Sequence, residues 1–129
     1  MKQAMKLSSG STKNDQDVYS FESASRGFHV YRRVWNARVG ERLQAKQEDS
    51  NNEDRYAVAL TKDNLTVGHV PQEQSSILWY FLSHGGKLTA KVTGRHRRSP
   101  LIQGGLEIPC TFTVEGSKRL VQKLQELIV

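Results

Sequence analysis

The sequence predicts a mainly β domain, a small and partly open barrel of about six strands with two packed helices. Short apolar stretches with a two-residue period outnumber stretches with a helical period. The turns between them are short, and strands and helices do not alternate regularly, which argues against a parallel sheet. The chain has no internal repeat.

The first two strands are predicted in residues 28–35 and 42–48. In residues 28–35, Phe28 and Val34 lie on one face and Trp35 on the other. The second face also carries Tyr31 and an arginine, a mixture that base-stacking surfaces use, although a covering helix explains Trp35 equally well. In residues 42–48, the apolar positions alternate as expected for a strand that faces a core on one side.

A hairpin at the centre of the chain organises the rest. Residues 51–56 form a turn of Asn, Asp and Glu, residues 57–60 an apolar strand, and Asp63 with Asn64 a tight turn before the next strand. That strand ends on Gly68 and His69, and a terminal glycine lets another backbone or a ligand approach closely. The hairpin therefore brings Asp54 at one end into the same region of the chain as His69.

The clearest helix is predicted from Pro71 to residue 84, because proline suits a first turn and Gly85 with Gly86 ends the apolar stripe. A strand follows at residues 87–93, then a basic loop at 94–100, a turn at 103–105 and a strand at 107–114. Gly116 and Ser117 begin the last helix.

Residues 1–25 are polar, and we expect a disordered tail there, with one folded domain at residues 26–129. The chain has a net charge of +6, from 19 basic and 13 acidic residues. The tail holds three of each, so the whole excess lies on the folded domain. A basic domain favours a polyanionic partner, although a merely soluble basic surface is also common.

Several classes of protein are disfavoured. Cys110, the only cysteine, excludes a disulfide framework and fits a buried position in a protein of a reducing compartment, so we expect an intracellular location. There is no membrane-length apolar run. The four histidines lack metal-ligand spacing, and hydrolase and phosphate-loop motifs are missing, so we expect no metal, no cofactor and no enzymatic activity.

A nucleic-acid-binding module fits better, because such a module needs cations for phosphates, rings for bases and a polar group for specificity. Asp54 would repel a phosphate, but it suits a free terminal hydroxyl, which can donate to a carboxylate. The candidate binding residues are Tyr31, Arg32, Asp54, Arg55, Tyr56, His69, Arg95, Arg97 and Arg98.

The stretch Asn-Asn-Glu-Asp-Arg-Tyr-Ala-Val-Ala-Leu, followed by Val-Gly-His-Val-Pro and a helix, resembles the HIRAN domain. That family has Asn-Pro-Tyr-Asp-x-Asn-Ala-Ile, then Gly-His-Leu/Val and a helix. The resemblance runs from about Phe28 to the last helix. It implies a modified barrel of the OB-like or SH3-like kind and binding of the 3′ end of single-stranded DNA. It also implies a nuclear location and a role in DNA repair.

By this resemblance, Asp54 contacts the terminal 3′-hydroxyl, His69 lies near a phosphate, and Tyr31 stacks on a base. Two departures weaken DNA binding: Glu53 stands where the family has tyrosine, and Gln72 stands near the position where the family often has lysine. The alternative is therefore a protein-interaction module on the same barrel with weak or no DNA binding. An exposed apolar face around Trp35 or Trp79 would favour that alternative.

Overall fold

A computed structural model describes residues 15–49, 51–99 and 105–128. Six antiparallel strands close a barrel in the order β1, β4, β3, β2, β5, β7 and back to β1, and β6 pairs with β7. The strands are β1 (Gln16–Arg26), β2 (Arg42–Gln47), β3 (Val58–Lys62), β4 (Leu65–His69), β5 (Lys87–Val92), β6 (Arg97–Arg98) and β7 (Leu106–Ser117). The helices are α1 (Phe28–Tyr31), α2 (Gln72–Ser83) and α3 (Lys118–Leu127). The predicted mainly β barrel of about six strands is confirmed.

The barrel encloses one apolar core, to which every long element contributes. Leu43, Leu60 and Phe112 from three different strands are fully buried. Phe81 of α2 and Leu124 of α3 belong to the same cluster, so both helices pack on the barrel. The helix predicted from Pro71 and the last helix after Ser117 are therefore confirmed as core helices, and Ser117 Oγ accepts a hydrogen bond from Leu120 N at 3.2 Å.

The prediction of a disordered tail at residues 1–25 is wrong for its last part. Strand β1 pairs with β7 along its whole length, from Gln16 opposite Ser117 to Arg26 opposite Glu107. Much of β1 faces solvent, and for this reason its sequence is polar and lacks a clear apolar alternation. Cross-strand side-chain hydrogen bonds, such as Ser20 Oγ to Thr113 Oγ1 at 2.9 Å, suit such a surface. Residues 1–14 lie outside the described residues.

The strand predicted at residues 28–35 is also wrong. Gly27 adopts φ 90°, a left-handed conformation that glycine tolerates, and the chain turns there into the short helix α1. Phe28 and Trp35 are both buried and meet edge to face with ring centroids 6.0 Å apart, whereas Val34 is exposed. The aromatic side chains at 28, 31 and 35 have the three- and four-residue spacing of a helix. A strand, with its two-residue period, would place Phe28 on one face and the other two on the opposite face.

The central hairpin is as predicted. Asp63 and Asn64 both have positive φ, 52° and 67°, as a two-residue turn between twisted strands requires. The predicted basic loop at 94–100 contains the short strand β6, and the predicted turn at 103–105 lies mostly outside the described residues. In the described part of the chain, no helix has the length and apolarity needed to cross a membrane.

Candidate functional site

An open cleft of about 280 Å³ lies where the end of β1, the turn before β3 and the start of α2 meet. Both Asp54 and His69 line this cleft, so the structure brings together the two residues that the hairpin was predicted to bring together. Other lining residues come from each neighbouring element and include Arg26, Gly27, His29, Asn51 and Gln72.

The floor of the cleft is the seam that closes the barrel. Strands β1 and β4 pair at a single position, Arg26 opposite His69. A Cβ atom at Gly68 would lie 1.9 Å from Ser25 Oγ and 3.0 Å from the Arg26 carbonyl oxygen, so a side chain has no room there. The predicted close approach of another backbone at the glycine is confirmed, and Gly68 thereby sets the position of His69.

The turn before β3 is held by its own side chains. Asn51 Oδ1 accepts hydrogen bonds from the backbone N–H groups of Glu53 at 2.9 Å and Asp54 at 3.0 Å. Asp54 Oδ1 accepts from Tyr56 N at 2.9 Å, and its Oδ2 accepts from Ser75 Oγ of α2 at 2.7 Å. A carboxylate has about four acceptor positions, so Asp54 keeps about two for a ligand while its orientation is fixed.

Glu48 links the turn to His69. Its Oε1 accepts from His69 Nε2 at 2.7 Å and from Asn51 Nδ2 at 3.1 Å. Burial by itself would raise the pKa of the Glu48 carboxyl, but the hydrogen bonds from Asn51 and His69 outweigh it and hold this pKa below its usual value. One ionised carboxylate therefore orients both the imidazole and the turn.

Tyr31 lies beside the same imidazole. Its ring centroid is 6.1 Å from that of His69, with the planes inclined by 41°. Burial raises the pKa of the Tyr31 hydroxyl, and the Glu48 carboxylate adds to the increase. The helix α1, and not the predicted strand, places this ring beside His69, although Tyr31 itself does not line the cleft.

A network of charges borders the cleft on the β1 side. Arg26 donates two hydrogen bonds to the Glu73 carboxylate, at 2.6 and 2.8 Å, and a third to the buried Glu107 at 3.3 Å. Arg97 donates to the other oxygen of Glu107 at 2.9 Å. Hydrogen bonding to Arg26 lowers the pKa of the Glu73 carboxyl. Arg26 is thus neutralised, whereas Arg97 keeps half its side chain exposed.

Four of the predicted binding residues outside the basic segment do not line the cleft: Tyr31, which only lies beside His69, and Arg32, Arg55 and Tyr56. The Arg32 guanidinium lies over the Phe28 ring, 5.7 Å from its centroid. Arg55 lies over the Tyr56 ring, which meets Trp79 of α2 edge to face, so this pair faces α2 instead.

The basic segment also lies outside the lining, but it is fixed next to α1. His96 stacks on Phe28 with ring centroids 5.3 Å apart. Arg95, Arg97 and Arg98 are all exposed around it. The cations of this segment therefore lie near the α1 side of the cleft.

The family model of the HIRAN domain matches residues 18–117. The chain belongs to the HIRAN domain family. Its match begins in β1, which confirms that this strand is part of the domain. No curated protein matches the chain.

Solved HIRAN structures share the fold. The crystal structure of the HIRAN domain of human HLTF has a TM-score of 0.71 at 15% identity, covering 90% of this chain and 92% of that one. The NMR structure of the HLTF HIRAN domain gives 0.67 at 13% identity, covering 93% and 94%. A Lactobacillus plantarum protein gives 0.53 at 16% identity, covering 78% and 99%. At these identities the likeness establishes the fold alone.

Sequence reasoning missed several residues that build this HIRAN cleft. Arg26 and Gly27 fall at the boundary assigned to the tail, and Glu48 was placed simply at the end of a strand. A signal did exist for Asn51, because an Asn in an Asn/Asp turn commonly caps its own backbone. Among the described residues, no group of three or more His, Cys, Asp or Glu side chains is arranged to hold a metal ion.

Proposed function

We propose that this HIRAN domain is a non-catalytic module that binds single-stranded DNA and receives its 3′ end in the cleft. The observation that carries the proposal is the shared position of Asp54 and His69 on one cleft, beside the Tyr31 ring. Asp54 and His69 supply an acceptor and a hydrogen-bonding imidazole in the cleft, and Tyr31 supplies a ring next to His69.

In this proposal Asp54 accepts a hydrogen bond from the 3′-hydroxyl. Its carboxylate retains about two acceptor positions after binding Tyr56 N and Ser75 Oγ. It would repel a phosphate at the same place, so a terminal hydroxyl is favoured over a continuing or phosphorylated strand. His69 then contacts a backbone phosphate, and Tyr31 stacks on a base.

Phosphates further from the end would meet Arg95, Arg97 and Arg98, which are exposed beside α1. Arg97 donates one hydrogen bond to Glu107 through a single nitrogen. The Arg97 side chain is 56% exposed, so its other N–H groups remain available to bind an anion. Because these contacts are electrostatic, affinity should fall as the salt concentration rises.

The test is fluorescence anisotropy with single-stranded oligonucleotides that differ only in a 3′-hydroxyl or a 3′-phosphate. The wild type should prefer the hydroxyl by about tenfold, the value of one charge-assisted hydrogen bond. Asp54→Asn keeps an oxygen for Tyr56 N but removes the charge, and it should lose most of this preference. Equal preference in wild type and variant would contradict the assigned role.

Ser75→Ala is the matched control, because it removes a hydrogen bond to Asp54 while leaving the carboxylate charged. It should keep the preference for the hydroxyl. The non-catalytic assignment is tested separately by incubating end-labelled oligonucleotides with the protein and Mg²⁺ or Mn²⁺. The strands should remain intact, and cleavage would show an enzyme.

The alternative of a protein-interaction module follows from the departures from the family motif, and an exposed apolar face around Trp35 or Trp79 would favour it. Trp35 is only 6% exposed and belongs to the core. Trp79 is partly buried against the core and meets Tyr56. Neither tryptophan forms an exposed face by itself, but Val34 next to Trp35 and Tyr56 against Trp79 are exposed, so protein binding stays the alternative. DNA binding is the function that the cleft supports best.

A further inference from the structure

Positive charge is concentrated on one side of the barrel, beyond the cleft. Residues 27–40 and 87–98 together contain eight Lys and Arg residues and no Asp or Glu. The fold brings these two segments into contact: Gly40 N donates to Val92 O at 2.8 Å, and His96 stacks on Phe28. A sequence feature that is split between two distant stretches thus becomes one continuous basic region.

The outer face of β2 and β5 adjoins this region and carries further cations from β2. Arg42 and Lys91 are directly opposite each other in the antiparallel register, and both are exposed. Opposed side chains on neighbouring strands have Cβ atoms about 5 Å apart, and like charges at such positions destabilise a sheet. Neither residue makes an ion pair within the described ranges.

The charge continues along the same face. Lys46 and Lys87 follow Arg42 and Lys91 at four-residue intervals, about 13 Å further along the strands. Gln44 and Thr89 lie opposite each other between these positions and add hydrogen-bonding groups without charge. Glu115 of β7 lies opposite Lys87 and offsets part of the charge there. Acidic side chains also border the other end, where Glu41 precedes Arg42 and Glu22 of β1 accepts a hydrogen bond from Thr111, which lies opposite Lys91.

We propose that this outer face, formed by Arg42, Lys46, Lys87 and Lys91, is a second nucleic-acid contact that binds the phosphate backbone of a duplex. A row of exposed cations and small polar groups on a strand surface suits phosphates, and it offers no ring to stack on a base. The inference rests on the proposed function for its partner: the duplex is the one that adjoins the DNA end held in the cleft. Phosphate binding would relieve the repulsion between Arg42 and Lys91.

The experiment compares three fluorescent probes by anisotropy at several salt concentrations. They are a short single strand with a 3′-hydroxyl, the same strand extending from a duplex, and a blunt duplex with both 3′ ends phosphorylated. Arg42→Gln/Lys91→Gln should bind the short strand like the wild type. It should bind both duplex probes about tenfold more weakly, with the salt slope reduced by about two.

Arg119→Gln/Lys123→Gln on α3 removes the same charge from another exposed surface and should bind all probes like the wild type. Equal losses in both double variants would show that net charge alone drives binding and would overturn the proposal. Unchanged duplex binding by the first double variant would overturn it as well. The melting temperature of that variant at low salt should equal or exceed that of the wild type, which excludes misfolding as the cause of a loss.

The two proposals fail in different ways. If the wild type binds the phosphorylated blunt duplex through Arg42 and Lys91 but shows no preference for a 3′-hydroxyl, the proposed duplex contact is supported and the assignment of the cleft to the 3′ end is contradicted. If the wild type prefers the 3′-hydroxyl but does not bind the blunt duplex, the assignment of the cleft is supported and the proposed duplex contact on the outer face is contradicted.

Discussion

The Nε2 atom of His69 lies 2.7 Å from Oε1 of Glu48, and the same carboxylate oxygen accepts a hydrogen bond from Asn51. Glu48 follows the end of β2, His69 ends β4, and Asn51 begins the turn that carries Asp54. One carboxylate therefore couples the orientation of the histidine to that of the turn. The cleft is organised before any ligand enters, which lowers the entropic cost of binding.

The first prediction concerns pH and Glu48. Its pKa is below the ordinary value of 4.5, so its contribution to stability is complete above about pH 4.5 and is lost as the pH falls through the folded pKa. Glu48→Gln should weaken the hydrogen bonds to His69 and Asn51 and cost about 1 kcal/mol at pH 7. Thermal unfolding from pH 7 to pH 3 should show a shallower loss of stability in the variant.

Glu53→Gln is the control for this experiment, because Glu53 is exposed and the substitution removes the same charge. It should retain the pH profile of the wild type. A wild type and a Glu48→Gln variant with parallel profiles would show that the carboxylate contributes nothing to the acid sensitivity of the fold.

The second prediction concerns the seam at Gly68. Alanine there would place a methyl group against Ser25 Oγ and the Arg26 carbonyl, so Gly68→Ala should destabilise the fold by about 1–3 kcal/mol in urea unfolding. Adding Ser25→Gly removes one of the two obstacles and should restore part of the loss. Thr66→Ala on the same strand should cost at most about 1 kcal/mol.

If Gly68→Ala proved as stable as the wild type, the close approach of β1 to β4 would not be what closes the barrel. A variant that folds with reduced stability should also bind the 3′-hydroxyl strand more weakly, since the substitution displaces the neighbouring His69.

The third prediction separates the two tyrosines that sequence reasoning treated alike. Tyr31 lies beside His69, which lines the cleft, and Tyr56 lies against Trp79. Removing a ring that stacks on a base costs about 1–3 kcal/mol, so Tyr31→Ala should weaken binding of single-stranded DNA by about tenfold or more. Tyr56→Ala should bind like the wild type in the same anisotropy assay.

Tyr31→Phe keeps the ring and removes the hydroxyl, so it should retain nearly full affinity if stacking is the role of this residue. A larger loss from Tyr56→Ala than from Tyr31→Ala would place the bound strand on the α2 side of the domain instead.

The position of Asp54 and His69 on one cleft could be predicted from the sequence because both residues belong to the central hairpin and the turn that leads into it. Turn residues, a two-residue reversal at Asp63 and Asn64, and a glycine at a strand end all have local physical causes. The same holds for α2, whose proline and glycine boundaries are local signals. Contacts of this kind depend on neighbours in the chain, so a local pattern is enough to specify them.

Tertiary structure alone decided the features that depend on distant partners. The polar sequence of β1 predicts a disordered tail. It forms a strand because it pairs with β7, about 90 residues later in the chain. The segment after Gly27 has aromatic residues that suit either a strand or a helix, and burial of Phe28 and Trp35 selected the helix. Propensity is a weak guide where packing against remote elements sets the free energy.

The sequence by itself thus determined the charge, the central hairpin and the residues that a binding site requires. The closed barrel determined which of them meet: Asp54 and His69 line one cleft, Tyr31 lies beside His69, Tyr56 lies against Trp79, and Arg42 lies opposite Lys91. The physical reason is that strand register and ring closure are set by the whole core at once, whereas turns and caps are set within a few residues.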